Sequence, residues 1–126
     1  VLITDTRPSQ AVAELVLGLI LNFYRKINIS NNNLKNKIWK KFSGPLLSGK
    51  TVGIVGFGHI GKQLSLLLNG FNCKVLAFDV YKDESFAAAN AVIFKDINEL
   101  LSESDIISLH LDLNTETRKF INEEKL

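Results

Sequence analysis

The 126-residue chain has no methionine, one cysteine and two prolines. Each shortage excludes something. A lone thiol, Cys73, cannot build an internal disulfide framework, so a reducing, cytoplasmic compartment is the expectation. Cys73 opens an apolar stretch and is expected to serve as a small core hydrophobe, not a reactive thiol. The longest apolar run, Leu15 to Leu21, falls far short of the ~20 residues that span a bilayer. No signal-peptide pattern opens the chain, so no membrane partner is expected. A net charge of +2 is too small to imply a nucleic-acid partner. The lack of an initiator methionine points to a piece of a larger protein. No residues are assigned as metal ligands.

What is present is organised around Thr51 to Asp79. Hydrophobic residues make up 46% of the chain and charged ones 22%, as in an ordinary globular domain with its own core. Thr51 to Val55 is a β-branched apolar run that suits a strand buried on both faces. Gly56, Gly58 and Gly61 follow at G-x-G-x-x-G spacing. Ile60, Leu64, Leu67, Leu68 and Phe71 then fall on one helical face. Lys74 to Phe78 reads as a second strand, closed by Asp79 at about the 20-residue offset of a dinucleotide-binding acid.

Each part has a physical task. Gly56 permits a tight turn, Gly58 lets backbone approach a pyrophosphate, and Gly61 lets the helix pack on the sheet. The helix N-terminus presents N–H groups and a positive dipole end to phosphates. Asp79 can accept hydrogen bonds from both hydroxyls of an adenosine ribose. It would also face the 2′-phosphate of NADP, so NAD is the expected cofactor, with Lys82 close enough in sequence to soften that preference.

Taken in order, Val1 to Thr4 suits a short strand or an extended lead-in. Ser9 is a candidate N-cap for a helix over Gln10 to Lys26. Ala11, Val12, Leu15, Val16, Leu19, Ile20 and Phe23 form its main stripe, and Leu17, Leu21 and Tyr24 widen it around most of the circumference. Such a helix is expected to pack against a sheet and against something else, such as a partner subunit. Asn28 to Asn36 is polar and reads as a loop or linker. Trp39, among Lys35, Lys37, Lys40 and Lys41 in a short helix or turn, is expected to plug the core. After Asp79 come a partly helical segment over Lys82 to Asn90 and a third strand, Ala91 to Phe94. A helix capped by Asp96 and Glu99 follows, then a fourth strand, Asp105 to His110. Strands alternating with helices imply an α/β, Rossmann-type, doubly wound parallel sheet, here with strand order 3-2-1-4. The expected organisation is a lead-in, helix and connector over 1–50 and the first part of the nucleotide-binding domain over 51–126. The fourth strand would be an exposed apolar edge of the kind that invites aggregation, so the 126 residues expressed alone are expected to be poorly soluble or only partly cooperative.

Four stretches together resemble the D-isomer-specific 2-hydroxyacid dehydrogenases: AVAELVLGLIL from Ala11, LSGKTVGIVGFGHIGKQL from Leu47, VLAFDVY from Val75, and ELLSESDIISLHLDLNTETRKFIN from Glu99. The resemblance implies an NAD-dependent oxidoreductase acting on a small 2-hydroxy or 2-oxo acid. It places Gly56, Gly58, His59, Ile60 and Gly61 at the pyrophosphate, Asp79 at the ribose, and His110, Leu111 and Asp112 along the adenine side. It implies a homodimer built partly on the long helix. Family members have proline where Asp112 stands and commonly Thr-Pro at Asn114-Thr115. The family's catalytic histidine, glutamate and arginine come from segments beyond this chain's motifs, so no catalytic residue is assigned within it. An NAD-sensing corepressor and an adenosylhomocysteinase-like NAD domain are the alternatives. The SLHLDLNTETRKFIN ending favours the dehydrogenases over the latter.

Overall fold

Strands buried on both faces of a parallel sheet need apolar side chains on both. In the computed structural model, which describes residues 8–122, four apolar runs supply them: β1 (Thr51–Val55), β2 (Lys74–Phe78), β3 (Val92–Phe94) and β4 (Ile106–Leu109). Every neighbouring pair is parallel, and the order is β3-β2-β1-β4, as the motif order implies. The period-two alternation of the strands divides the core. Val52, Ile54, Val75 and Ala77 face one side, against Leu64 and Leu68 of helix α3 (His59–Asn69). Val55 and Leu76 face the other, against Leu100 of helix α5 (Ile97–Glu103). Fully burying such a side chain contributes about 1.5–3 kcal/mol. Gly53 leaves room for α5, since a Cβ there would lie 2.5 Å from Leu100 Cδ2.

Two short helices begin on aspartates. Asp83 Oδ1 accepts from Phe86 N at 3.0 Å to start α4 (Glu84–Ala89), and Asp96 Oδ1 accepts from Glu99 N at 3.0 Å to start α5. Cys73 sits half-buried ahead of β2, its Sγ 3.4 Å from the Leu47 carbonyl oxygen, and burial pushes its thiol pKa up.

The N-terminal third corrects several sequence expectations. Helix α1 (Ser9–Arg25) begins one residue early: Pro8 takes the cap position and no side chain caps it, so Ser9 is its first helical residue. The helix packs chiefly on α3, not on the sheet. Its buried face is Ala13, Ile20 and Tyr24, flanked by Val16, Leu17 and Leu21. Leu15, Leu19 and Phe23, assigned to the packed stripe, are 62%, 58% and 70% exposed. Apolar residues on both sides give no periodicity that selects a face; the small Ala13 admits α3, and packing decides. Asn28 to Asn36 does not form a loop. It forms helix α2 (Ile27–Lys35), separated from α1 by the left-handed Lys26 at φ 56°. Asn22 Oδ1 accepts from Asn28 N at 3.0 Å, and Asn36 Nδ2 donates to Asn32 O at 2.8 Å. These asparagines thus satisfy helix ends, which a reading of asparagine as a helix breaker misses. Trp39 does not plug the core: it is 88% exposed on an irregular segment. Val1 to Thr4 lies outside the described residues.

Candidate functional site

Strand order reverses between β1 and β4, and this switch point places a crevice beyond their carboxyl ends. Gly56 turns the chain there with φ +93°, and a Cβ on it would lie 2.5 Å from the His110 carbonyl oxygen. Both facts require glycine. The turn is tied down on three sides. Gly56 N donates to Phe78 O at 2.8 Å, and His110 N donates to Val55 O at 2.7 Å. The buried Phe57 ring packs edge-on against Phe86 and Phe94.

Gly58 forms the N-cap of α3 without a side-chain cap, and no acidic residue lies in the helix's first turn. A Cβ at Gly58 would meet nothing within 4 Å, so its open side faces space that a ligand can enter. Gly61 is different: a Cβ there would come 2.6 Å from Gly56 O and 3.1 Å from Ile54 Cγ2. It sets how closely α3 lies on the sheet. Ile60, half-buried, sits beside it, and His59 is exposed at the helix start.

Asp79 stands one strand over. Its Oδ2 accepts from Phe57 N at 2.6 Å and its Oδ1 from Tyr81 N at 3.0 Å. The carboxylate therefore braces the glycine turn as well as facing the cleft, a role the sequence motif does not reveal. A carboxylate has about four lone-pair sites, so capacity for two ribose hydroxyls remains. Gly58, His59, Lys62, Asp79, Lys82 and Asp83 line one cleft of about 360 Å³.

The segment after β4 lies apart. The His110 carbonyl backs Gly56, while its half-buried ring has Nε2 2.8 Å from Ser108 Oγ. Burial lowers the imidazole pKa from its ordinary value. Leu111 and Asp112 line a second cavity of about 260 Å³ with Thr117 and Phe120. Phe120 stacks on Phe78 with centroids 5.7 Å apart. Asn114 Oδ1 accepts from Glu116 N and Thr117 N at 2.9 and 2.8 Å, so this turn closes without a Thr-Pro pair. Gly58, His59 and Asp79 thus share one cleft, while Gly56, Ile60 and Gly61 belong to the turn and first helical turn behind it and do not line it. Leu111 and Asp112 border a neighbouring hollow.

This donor set fits a dinucleotide. It has a side-chain-free approach at a helix N-terminus for a diphosphate and a carboxylate at the next strand end for a ribose. Among the described residues, no helix is long and apolar enough to cross a membrane.

The sequence profile of the D-isomer-specific 2-hydroxyacid dehydrogenase NAD-binding domain matches residues 17–126. The chain is 40% identical over 119 residues to 2-hydroxyacid dehydrogenase A of Aspergillus oryzae, covering 93% of this chain and 34% of that protein. It is 38% identical to hydroxypyruvate reductase of Thermotoga maritima, covering 100% of this chain and 41% of that one. Among solved structures, apo D-lactate dehydrogenase of Escherichia coli superposes with a TM-score of 0.89 at 32% identity, over 97% of this chain and 39% of that one. D-lactate dehydrogenase of Aquifex aeolicus, complexed with NAD and lactic acid, gives 0.86 at 32% identity, over 93% and 36%. The chain therefore spans only about a third to two fifths of the length of these relatives. These matches favour the dehydrogenases over a corepressor or an adenosylhomocysteinase. From the profile match, the identities and the glycine-turn geometry together, the chain belongs to the D-isomer-specific 2-hydroxyacid dehydrogenase family and carries its NAD-binding fold.

Proposed function

We propose that the protein carrying this chain is an NAD-dependent dehydrogenase of small D-2-hydroxy acids, and that residues 51–126 begin its NAD-binding domain while 1–50 lead into it. When bound, NAD supplies the hydride acceptor for oxidation of the hydroxyl-bearing carbon. The observation that carries the reading is the pairing of the open Gly58 face at the α3 N-terminus with Asp79 across the same cleft.

Gly56, Gly58, His59, Ile60 and Gly61 hold the diphosphate, through backbone N–H groups and the helix dipole. Asp79 orients the ribose, and its bond to Phe57 N keeps the turn in place for that purpose. His110, Leu111 and Asp112 border the adenine side. Asp79 faces the position of a 2′-phosphate, and a like-charge approach of that kind typically costs about several kcal/mol, which favours NAD. The relatives' names (glyoxylate reductase, hydroxypyruvate reductase, D-lactate dehydrogenase and D-3-phosphoglycerate dehydrogenase) support a short 2-oxo acid as substrate. The exposed Leu15, Leu19 and Phe23 ridge of α1 supports a homodimer, and the single cysteine supports a cytoplasmic setting.

The test is a panel of 2-oxo acids, including glyoxylate, hydroxypyruvate, pyruvate and 3-phosphohydroxypyruvate, offered with NADH to the full-length protein. NADH consumption with at least one of them is expected. NAD binding with no turnover of any 2-oxo acid would overturn the dehydrogenase reading.

A further inference from the structure

The cofactor cleft carries two cations as well as two carboxylates, and their pairing is uneven. Lys62 stands in the first turns of α3, its backbone N donating to Gly58 O at 3.0 Å, so its side chain leaves the helix beside the glycine turn. Its Nζ donates to Asp83 Oδ2 at 2.5 Å and lies 5.1 Å from the centre of the Phe86 ring. Lys82 lies 6.0 Å above the Phe94 ring instead. Asp83 is held from its other side: Oδ1 accepts from Phe86 N at 3.0 Å and from Ser85 Oγ at 2.8 Å. Both oxygens of Asp83 are therefore engaged, one capping α4 and one on Lys62.

A cation here matters because of what else faces it. Lys62, Asp79 and Asp83 line one cleft, and a ribose seated on Asp79 would turn its 2′-oxygen into that space. A 2′-phosphate needs a cation to offset Asp79, and one of the two ammonium groups lining the cleft, that of Lys62, is already committed to Asp83. We propose that Asp83 is a determinant of NAD over NADP specificity, acting by sequestering Lys62, one of the two lysines that line the cleft, so that this ammonium is not offered to a 2′-phosphate. The lysine's hydrogen bond, aided by Phe86 N and Ser85, lowers the Asp83 pKa to about 2. The carboxylate is thus ionised, and the pair intact, throughout the physiological pH range. Asp79 repels the extra phosphate directly, whereas Asp83 withholds the group that would compensate for it.

The inference rests on the dinucleotide reading of this cleft, and the experiment separates the two. Asp83→Asn keeps a side-chain oxygen for the α4 cap, since asparagine caps helices as well as aspartate, but it removes the charge that holds Lys62. Titration calorimetry on the full-length protein and this variant would measure NAD and NADP dissociation constants at fixed, low ionic strength. The expected result is a ratio of NADP to NAD constants narrowed by about tenfold, in line with one charge-assisted hydrogen bond. Adding Lys62→Gln to Asp83→Asn should restore the wide ratio. Adding Lys82→Gln should not. A ratio unchanged in Asp83→Asn with NAD still binding would overturn this inference alone, as would reversal by Lys82→Gln in place of Lys62→Gln. Failure of the unmodified protein to bind either nucleotide would overturn the cleft assignment and this inference together.

Discussion

Helices α1 and α3 pack on each other, yet they spend their apolar residues differently. In α3, Leu64 and Leu68 are fully buried beneath the sheet-facing side, and Gly61 brings the helix close. Its N-terminus is left open for a ligand. In α1 only one side meets α3, and Leu15, Leu19 and Phe23 stay exposed along a ridge at helical spacing. One helix is organised by its own chain; the other carries a face that the described residues do not cover. An apolar stripe therefore has two physical meanings, and only the packing partner distinguishes them.

The sharpest way to break this contrast is truncation. Leu68→Ala in α3 leaves a cavity where the side chain was fully buried, and should destabilise by about 2–5 kcal/mol. A single truncation of the exposed ridge, Leu15→Ala, should leave the fold of the protomer within about 0.5 kcal/mol. Chemical denaturation of the full-length protein compares the two. A similar loss from both, at protein concentrations where the protein is monomeric, would erase the distinction.

The turn in front of α3 should be nearly as sensitive. Gly56→Ala forces a Cβ against the His110 carbonyl at positive φ, and is expected to cost about 1–3 kcal/mol. It should weaken NAD binding as well, because the displaced turn carries Gly58 with it. Gly58→Ala, with open space at its Cβ, should keep the melting temperature of the unliganded protein while still weakening NAD binding. That split between stability and affinity, read by calorimetry, distinguishes a packing glycine from a ligand-facing one.

On the α1 side, Leu15→Ser, Leu19→Ser and Phe23→Ser combined should shift the proposed homodimer towards monomer in sedimentation velocity while far-ultraviolet circular dichroism stays unchanged. An unaltered dimer would assign the ridge to another role.

The smallest effect concerns acid. Asp83 has its pKa lowered from the ordinary carboxylate value to about 2 in the folded state. The unfolded chain therefore binds the proton first, and the pair's contribution, present in full above about pH 4, is lost as pH falls towards 2. Asp83→Asn should flatten that part of the stability profile relative to the unmodified protein. Lowered values at Glu103, held by Lys95 and Lys74, and at Asp105, held by Thr51 N and Lys50, act with the same sign, their contributions also being lost as pH falls. The difference between the two profiles is accordingly the quantity to read.

The same contrast explains what was legible from residues alone. From Thr51 onward each apolar run is bounded by turn or cap chemistry, and strand order agrees with the structure. β1 and β2 are buried on both faces, while β3 and β4 at the sheet edges are buried only in part, with Ile93 and Leu109 exposed. Gly56, Gly61 and Asp96 are specified locally, and the sequence announces them. Upstream, nothing in AVAELVLGLIL says which side meets α3, and nothing in NISNNNLKN distinguishes asparagines that close helix ends from asparagines in a loop. At the site, the motif names Asp79 but not its bond to Phe57 N. Lys62 lies in the LSGKTVGIVGFGHIGKQL stretch with no role assigned to it, and Asp83 belongs to no motif. The two meet only because the fold brings the α4 N-cap beside the first turns of α3. These contacts are tertiary, and no local pattern encodes them.

The edge position of β4, paired only with β1 among the described residues, gives the expectation that residues 1–126 expressed alone are poorly soluble or only partly cooperative. The central claim lies elsewhere, in the cleft between the glycine turn and Asp79. The most direct measurement is a crystal structure of the full-length protein soaked with NAD. The diphosphate should lie against the backbone of Gly58 to Ile60, with the adenosine ribose hydroxyls on the Asp79 carboxylate. A nucleotide bound anywhere else, or a ribose turned away from Asp79, would contradict the account.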